Sequence, residues 1–521
     1  MSARVAVIGA GMGGLTSAAL LAARGHDVTV LEKEAWVGGK ARRVSVDGAE
    51  IDGGPTVFTY REVFDEVFAA CGARLDDHVT ARKADVIARH AWDDSGYLDL
   101  YNDPVRSGDA VRAFTGSSDE ASGYLRFARE AARIFDVLEE PFLRGDKAST
   151  PFPMMWRIGP WKMGDMLAMR PFDRMWDALG EHFKDPRLQQ LFGRYATYCG
   201  SSPFAAPATL MLIAHVEARG VWLIEGGIHA LAKAVAGLAE RQGARVRTEA
   251  PVAEVLTHNG RTSGVRLASG EVIPAEIVIC NGDPSALATG RLGEDARRAV
   301  PAIPPAKRSL SALVWYAHTR TSGFDLTHHN VFFSRDYPRE FREIGAGATP
   351  SEPTVYVCAI DRGAGEHAPP PQGRERLQII VNAPANGDAR RYAPEERERC
   401  TQAMMATLER CGLTLEDPLE HRLMTPEDWE GLFPATGGAL YGRASHGWAA
   451  SFQRQGPRTR LPGLYCTGGA THPAAGVPMA ALSGQLAAKV IAKDLASTRT
   501  SPRAAIPGGM STRSATTGRT G

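Results

Sequence analysis

Val5-Ala6-Val7-Ile8-Gly9-Ala10-Gly11-Met12-Gly13-Gly14 is an apolar, β-branched run that enters a G-x-G-x-x-G turn. An Ala/Leu-rich helical stretch follows to Arg24, and Val28 to Leu31 form a second strand ending on Glu32, so the first residues read as a βαβ unit. In such a unit Gly9 permits the tight turn, Gly11 lets the backbone approach a pyrophosphate, and Gly14 lets helix and strand pack closely, with Gly13 beside them at the helix N-terminus. Glu32 lies 18 residues beyond Gly14, where a carboxylate can accept both hydroxyls of an unphosphorylated ribose.

The residues after the acidic strand decide which dinucleotide is meant. The chain continues through Gly38-Gly39-Lys40-Ala41-Arg42 to Ile51-Asp52-Gly53-Gly54-Pro55-Thr56. A nicotinamide enzyme has no need for glycines and an arginine so soon after that strand, whereas a longer cofactor with a bulky ring does. Gly39 would let the backbone pass close to it, and Arg42 would supply a charged donor. FAD is therefore the expected cofactor. This opening resembles that of the amine oxidase and carotenoid desaturase superfamily, and the resemblance extends the expected contacts to Pro55 and Thr56.

At 521 residues the chain exceeds the usual size of a single core, so two domains are expected. A net charge of +1 argues against nucleic acid held by bulk electrostatics. No run approaches the ~18 uninterrupted apolar residues of a spanning helix, and the first apolar run is already a strand of the fold rather than a signal peptide, which predicts a cytoplasmic protein. Seven cysteines without C-x-x-C spacing point to reduced, packed thiols, and no metal site is expected. His328-His329 lacks accompanying ligands and reads as a solvated loop. The tail from Ser497 onward, poor in apolar residues, reads as disordered.

Between Pro151 and Trp176 the composition changes, with six of the 14 methionines lying among Phe152, Trp156, Trp161, Phe172 and Trp176 and interspersed arginines and lysine. Thioethers and aromatics beside cations suit an oily ligand entrance or an anionic membrane surface, and equally a helical core segment. Further on stand Arg194-Tyr195-Ala196-Thr197-Tyr198-Cys199-Gly200-Ser201-Ser202-Pro203, His215-Val216-Glu217 and Gly220-Val221-Trp222 to Gly226-Gly227. In this order the segments resemble the bacterial-type carotenoid desaturases, and the wording around Arg194 resembles their hydroxycarotenoid 3,4-desaturase branch. On a helix His215 and Glu217 do not share a face, which argues against an acid/base pair.

Strand-like runs at Ser309–Tyr316, Thr354–Ile360 and Leu377–Asn382 predict an antiparallel sheet with one face towards a ligand. The fold closes with Leu464-Tyr465-Cys466-Thr467-Gly468-Gly469-Ala470-Thr471-His472, then Val477-Pro478-Met479 at the start of a helix. This stretch resembles the second cofactor motif of the carotenoid desaturases, with Ala474 where they often have glycine. The resemblance implies that Gly469, Thr471, Val477, Pro478 and Met479 contact the flavin, that the backbone of Val252 touches the adenine, and that His472 packs nearby.

The expected architecture is α/β: a Rossmann-like FAD-binding domain (residues 1–75, 214–300 and 455–495) interleaved with a mixed α+β substrate domain (76–213 and 301–454), then a tail over 496–521. The resemblance implies desaturation of an acyclic 1-hydroxycarotenoid at C-3,4. The methionine- and aromatic-rich segment motivates an expectation of peripheral contact with the inner membrane, and the electron acceptor is left open between oxygen and a quinone. Phytoene desaturation, amine oxidation and a prenyl-binding escort role are the alternatives; the catalytic residue is left open.

Overall fold

The computed structural model describes residues 2–500 except 94–95, 148–155, 157–163, 165–168, 364–370 and 417–419. A five-stranded parallel sheet is ordered Leu464–Cys466, Ile277–Cys280, Arg4–Ile8, Asp27–Leu31, Arg245–Arg247. Arg4–Ile8 is central, with Val5, Ala6 and Val7 fully covered, as expected of a β-branched run buried on both faces. Helix Met12–Ala22 is buried along its whole length, packed between Gly227–Arg241 and the final helix Val477–Thr500. That last helix runs past residue 496, and residues 501–521 lie outside the described residues.

A second, seven-stranded sheet is ordered Glu420–Met424, Ser311–Thr319, Glu375–Ala383, Val355–Ala359, His329–Phe332, Val86–Ala91, Tyr97–Tyr101. Its pairs are antiparallel except His329–Phe332 with Val86–Ala91, so the sheet is mixed rather than purely antiparallel. Helices Ser118–Leu138, Met175–His182, Pro186–Gly193 and Leu212–Arg219 cover one of its faces through a core that includes Phe127, Phe183 and Phe192. The chain thus leaves the parallel sheet, enters the mixed sheet, and returns twice. This is a Rossmann-like α/β domain interleaved with a mixed α+β domain.

The two sheets meet along the segment Asp52 to Thr56. Tyr316 donates its hydroxyl to the Gly53 carbonyl at 2.9 Å, and Gln378 donates from Nε2 to the Gly54 carbonyl at 2.9 Å. All seven cysteines are free and buried.

Candidate functional site

The turn after the first strand is shaped by its glycines. Gly9 has φ +94°, a conformation that side chains with a Cβ rarely adopt. A Cβ on Gly14 would come within 2.5 Å of the Gly9 carbonyl, and one on Gly13 within 2.8 Å of the Ala480 carbonyl and Gly468 amide. The turn therefore closes on itself while touching the start of the last helix. Gly39 approaches from a third side, where an added Cβ would lie 3.2 Å from the Gly11 Cα.

Two polar side chains brace this turn. Asn281, at the end of strand Ile277–Cys280, accepts from the Gly14 amide at 2.8 Å and donates to the Gly9 carbonyl at 3.3 Å. The other first-turn N–H groups of the helix remain as donors for a pyrophosphate. Glu32, 5% exposed, accepts from Ala10 N–H at 2.7 Å and Glu34 N–H at 3.0 Å. A carboxylate has about four acceptor sites, so capacity for a ribose remains. Val252 begins the strand Val252–His258, two residues after Ala250, whose amide donates to the Glu32 carbonyl at 2.7 Å.

Arg42 is 6% exposed and lies over the Trp429 ring at 5.4 Å, yet its Nε and Nη2 are buried without an acceptor. Leaving charged donors unmet in the interior costs free energy, which a ligand with acceptors there would offset. The residues present thus fit an FAD. Next to it Lys40 lies over Phe433 at 5.2 Å and donates to the Leu440 carbonyl; burial lowers its pKa to about 8.

The later motif meets this region through its backbone. Thr471 spends its hydroxyl on the Gly468 carbonyl at 2.7 Å and on Ser483 at 2.7 Å, so it shapes the loop rather than offering a side-chain donor. Gly469 is half-buried, with its carbonyl 3.3 Å from Arg454 Nη1. Val477, Pro478 and Met479 are buried in the first turn of the last helix. His472 is buried against the edge of Phe142, with Nε2 3.2 Å from the Gly145 carbonyl, the packing role expected of it.

Pro55 is half-buried, and Thr56 shares a 2.7 Å hydrogen bond with Tyr356 on the mixed sheet. Here the strand register places Tyr316, Gln378, Cys358 and His329 side by side across four strands, all buried. The solvated loop expected at His328-His329 is corrected: His329 starts a strand with partners on both sides and is 2% exposed. The ligand atoms of His328, His329 and Cys358 lie within 4.8 Å of one another. Burial pushes the Cys358 thiol far up, and burial, His328 and the Arg194 charge hold His329 well below the usual imidazole range.

His215 and Glu217 serve different neighbours. His215 packs on Phe135 at 5.3 Å. Glu217, buried, accepts from Tyr195 and, at 2.8 Å, from Tyr198. Burial raises its pKa while both phenols and Arg194 oppose the rise. Sequence reasoning missed the pairing within this cluster together with Asn281, Tyr316 and Gln378, whose partners are distant in the chain; the Arg194–Tyr198 and His215–Glu217 runs marked the region without joining them.

A cavity of about 690 Å³ opens beside Arg42, where Arg390, Arg391 and Arg422 face Asp388, Glu427, Asp428 and Glu430. Such a balanced polar lining does not suit an apolar chain.

The model of the family described as flavin containing amine oxidoreductase matches residues 12–492. The chain belongs to that family. Within it, the chain is 52% identical to a hydroxyneurosporene desaturase of Rubrivivax gelatinosus, over 99% of this chain and 98% of that protein. A hydroxyneurosporene desaturase of Cereibacter sphaeroides is 45% identical, over 95% of this chain and 98% of its own length. Among solved structures, an oxidoreductase from Methanosarcina mazei superposes with a TM-score of 0.59 at 16% identity, covering 94% of this chain and all of the other, which speaks for the fold alone. As a member of this flavin-containing family the protein is an FAD-dependent oxidoreductase.

Proposed function

We propose that the protein is an FAD-dependent carotenoid desaturase that introduces a C-3,4 double bond into an acyclic 1-hydroxycarotenoid. The observation that carries this reading is the 52% identity, end to end, with a protein named for hydroxyneurosporene. When bound, FAD supplies the acceptor for a hydride from a saturated carbon. The residues proposed to hold it are Gly9, Gly11, Gly13, Gly14, Glu32, Gly39, Arg42, Pro55, Thr56, the Val252 backbone, Gly469, Thr471, Val477, Pro478 and Met479.

The protein's remaining task is orientation and exclusion of water. Ile380, beside Tyr356 on the mixed sheet, and the partly buried Leu223 and Ile213 of the same core cluster are the apolar side chains proposed to meet a polyene. Positive charge left on the substrate spreads along its conjugated chain, and the neighbouring C–H becomes acidic enough that a weak proton acceptor serves. His329, held neutral, therefore need not act as a strong base.

We also infer a cytoplasmic protein peripherally bound to the inner membrane, passing electrons to oxygen or a membrane quinone. Among the described residues no helix is long and apolar enough to cross a membrane. Trp156 is 79% exposed and Phe172 77%, and Phe172 lies 5.7 Å from the half-exposed Trp448 ring beside exposed Arg174. Met169 and Met175 are instead core residues, and the other four methionines of this segment lie outside the described residues.

The deciding experiment is anaerobic incubation of FAD-loaded protein with 1-hydroxyneurosporene in liposomes. A red shift of the polyene bands with bleaching of the flavin is expected. Turnover of phytoene alone would move the substrate within the family, and peroxide from an amine would replace the reading with amine oxidation.

A further inference from the structure

Arg194 sits at the end of helix Pro186–Gly193, inside the layer that covers the mixed sheet. A guanidinium has five N–H donors. Among the described residues this one makes a single long hydrogen bond, 3.4 Å to the Tyr198 hydroxyl, and no ion pair. Its charge rests instead over the rings of Tyr198 and Tyr356, each 5.3 Å away. Across from it His329 shares its Nδ1 with the Tyr356 hydroxyl at 2.7 Å, and its Nε2 is buried with no partner. Tyr356 in turn reaches Thr56 at 2.7 Å. Arg194, with most of its donors not taken up, and His329, with one buried nitrogen unpaired, thus flank Tyr356, whose hydroxyl also bonds Thr56 in the segment that leads into the cofactor region.

We infer that Arg194 and His329, braced by Tyr198 and Tyr356, form the subsite that takes the hydroxyl at the end of the polyene. The subsite rests on the proposed substrate and adds the residues that set the choice between hydroxylated and plain chains. A hydroxyl offers two lone pairs and one O–H. Its oxygen accepts from Arg194. Its O–H donates a hydrogen bond to His329 Nε2, which is the acceptor when Nδ1–H points at the Tyr356 hydroxyl. A carboxylated chain fits less well, because Glu217, bonded to Tyr195 and Tyr198, already supplies the anion beside Arg194. In a 1-hydroxycarotenoid the hydroxyl-bearing carbon is two bonds from C-3, so fixing that group also fixes where C-3 and C-4 lie.

The test compares kcat/KM of the FAD-loaded full chain for 1-hydroxyneurosporene and for neurosporene, the same chain without the hydroxyl. Wild type is expected to prefer the former, since a site built to bond a hydroxyl leaves its own groups unpaired with the plain chain. Arg194→Met should lower the ratio of the two constants by about 10- to 100-fold, the loss of one charge-assisted hydrogen bond. Arg194→Lys, which keeps a donor and the charge, should fall between, and Tyr356→Phe, which frees the imidazole, should lower the ratio by a smaller factor. Flavin content and Tm of each variant are measured alongside. Equal losses on both substrates, with the ratio unchanged in Arg194→Lys and Tyr356→Phe, would show a structural role and overturn the subsite. A wild type that does not distinguish the two polyenes would overturn both the subsite and the substrate reading; a wild type that does, beside variants that still do, overturns the subsite alone.

Discussion

Arg42 holds two buried donors, Nε and Nη2, without an acceptor, and its guanidinium lies over the Trp429 ring. Hydrogen bonds from a charged donor contribute about 1.5–3 kcal/mol each. Loss of even one such bond in Arg42→Met should therefore weaken FAD binding by about 10- to 100-fold in a fluorescence titration of apoprotein, and Arg42→Lys should recover little, because a point charge cannot reproduce the planar fork. Asp52 tells a different story one strand away. Burial raises its carboxyl to about 6, more than the amides of Ile228 and His229 offset, and its Oδ1 is buried without a partner. An acid whose pKa in the fold stands above its unfolded value holds its proton more tightly there. Its contribution is most favourable below about pH 4, declines as the pH rises to about 6, and is flat above. Two pKa units correspond to about 3 kcal/mol. Asp52→Asn should thus outlast wild type in urea at pH 7.5 by about 2–3 kcal/mol, and the gap should close below pH 4; a gap independent of pH would contradict this account.

The crossing of the first and last helices is the joint on which the cofactor region depends. A Cβ on Gly484 would lie 2.5 Å from the Gly13 carbonyl and 2.8 Å from Thr16 Cβ. Gly484→Val should push the helices apart, costing about 1–3 kcal/mol from overpacking and releasing flavin together with the loss of Tm. Gly345→Ala, on a helix where an added Cβ meets nothing within 4 Å, should leave both unchanged or raise Tm. Both ends of this joint could be read in the sequence, because a strand, a glycine turn and an Ala/Leu helix signal themselves within a few residues. Strands Val86–Ala91 and Tyr97–Tyr101 could not. The first has five of six residues buried and no alternation, so it reads like the helical stretches around it. The environment of His329 was equally hidden: Val86–Ala91 and Val355–Ala359, which cover it, come from opposite directions along the chain. Likewise Glu217 finds its phenol partners 19 and 22 residues back, a separation that no helical period encodes.

At the scale of the whole molecule, the exposed rings of Phe172 and Trp448 pack against each other into an apolar patch on the surface. Such rings settle at the boundary between headgroups and acyl chains. Replacing Phe172 and Trp448 together by serine should abolish flotation of the protein with anionic liposomes, while turnover of substrate in detergent stays near that of wild type. Unchanged flotation would remove the membrane proposal without touching the chemistry.

The strand order of the parallel sheet has a further consequence for how the protein is made. Residues 4–8 sit beside 277–280, which sit beside 464–466, and the turn at Gly13 is closed by Ala480. While a ribosome is still translating the middle of the message, the emerging chain has a half-walled phosphate turn and no lid for it. Vitamin supply can therefore act on this protein only after synthesis has passed residue 480. Until then the edge of Ile277–Cys280 that pairs with Leu464–Cys466 stays open, so cofactor loading is expected on finished chains.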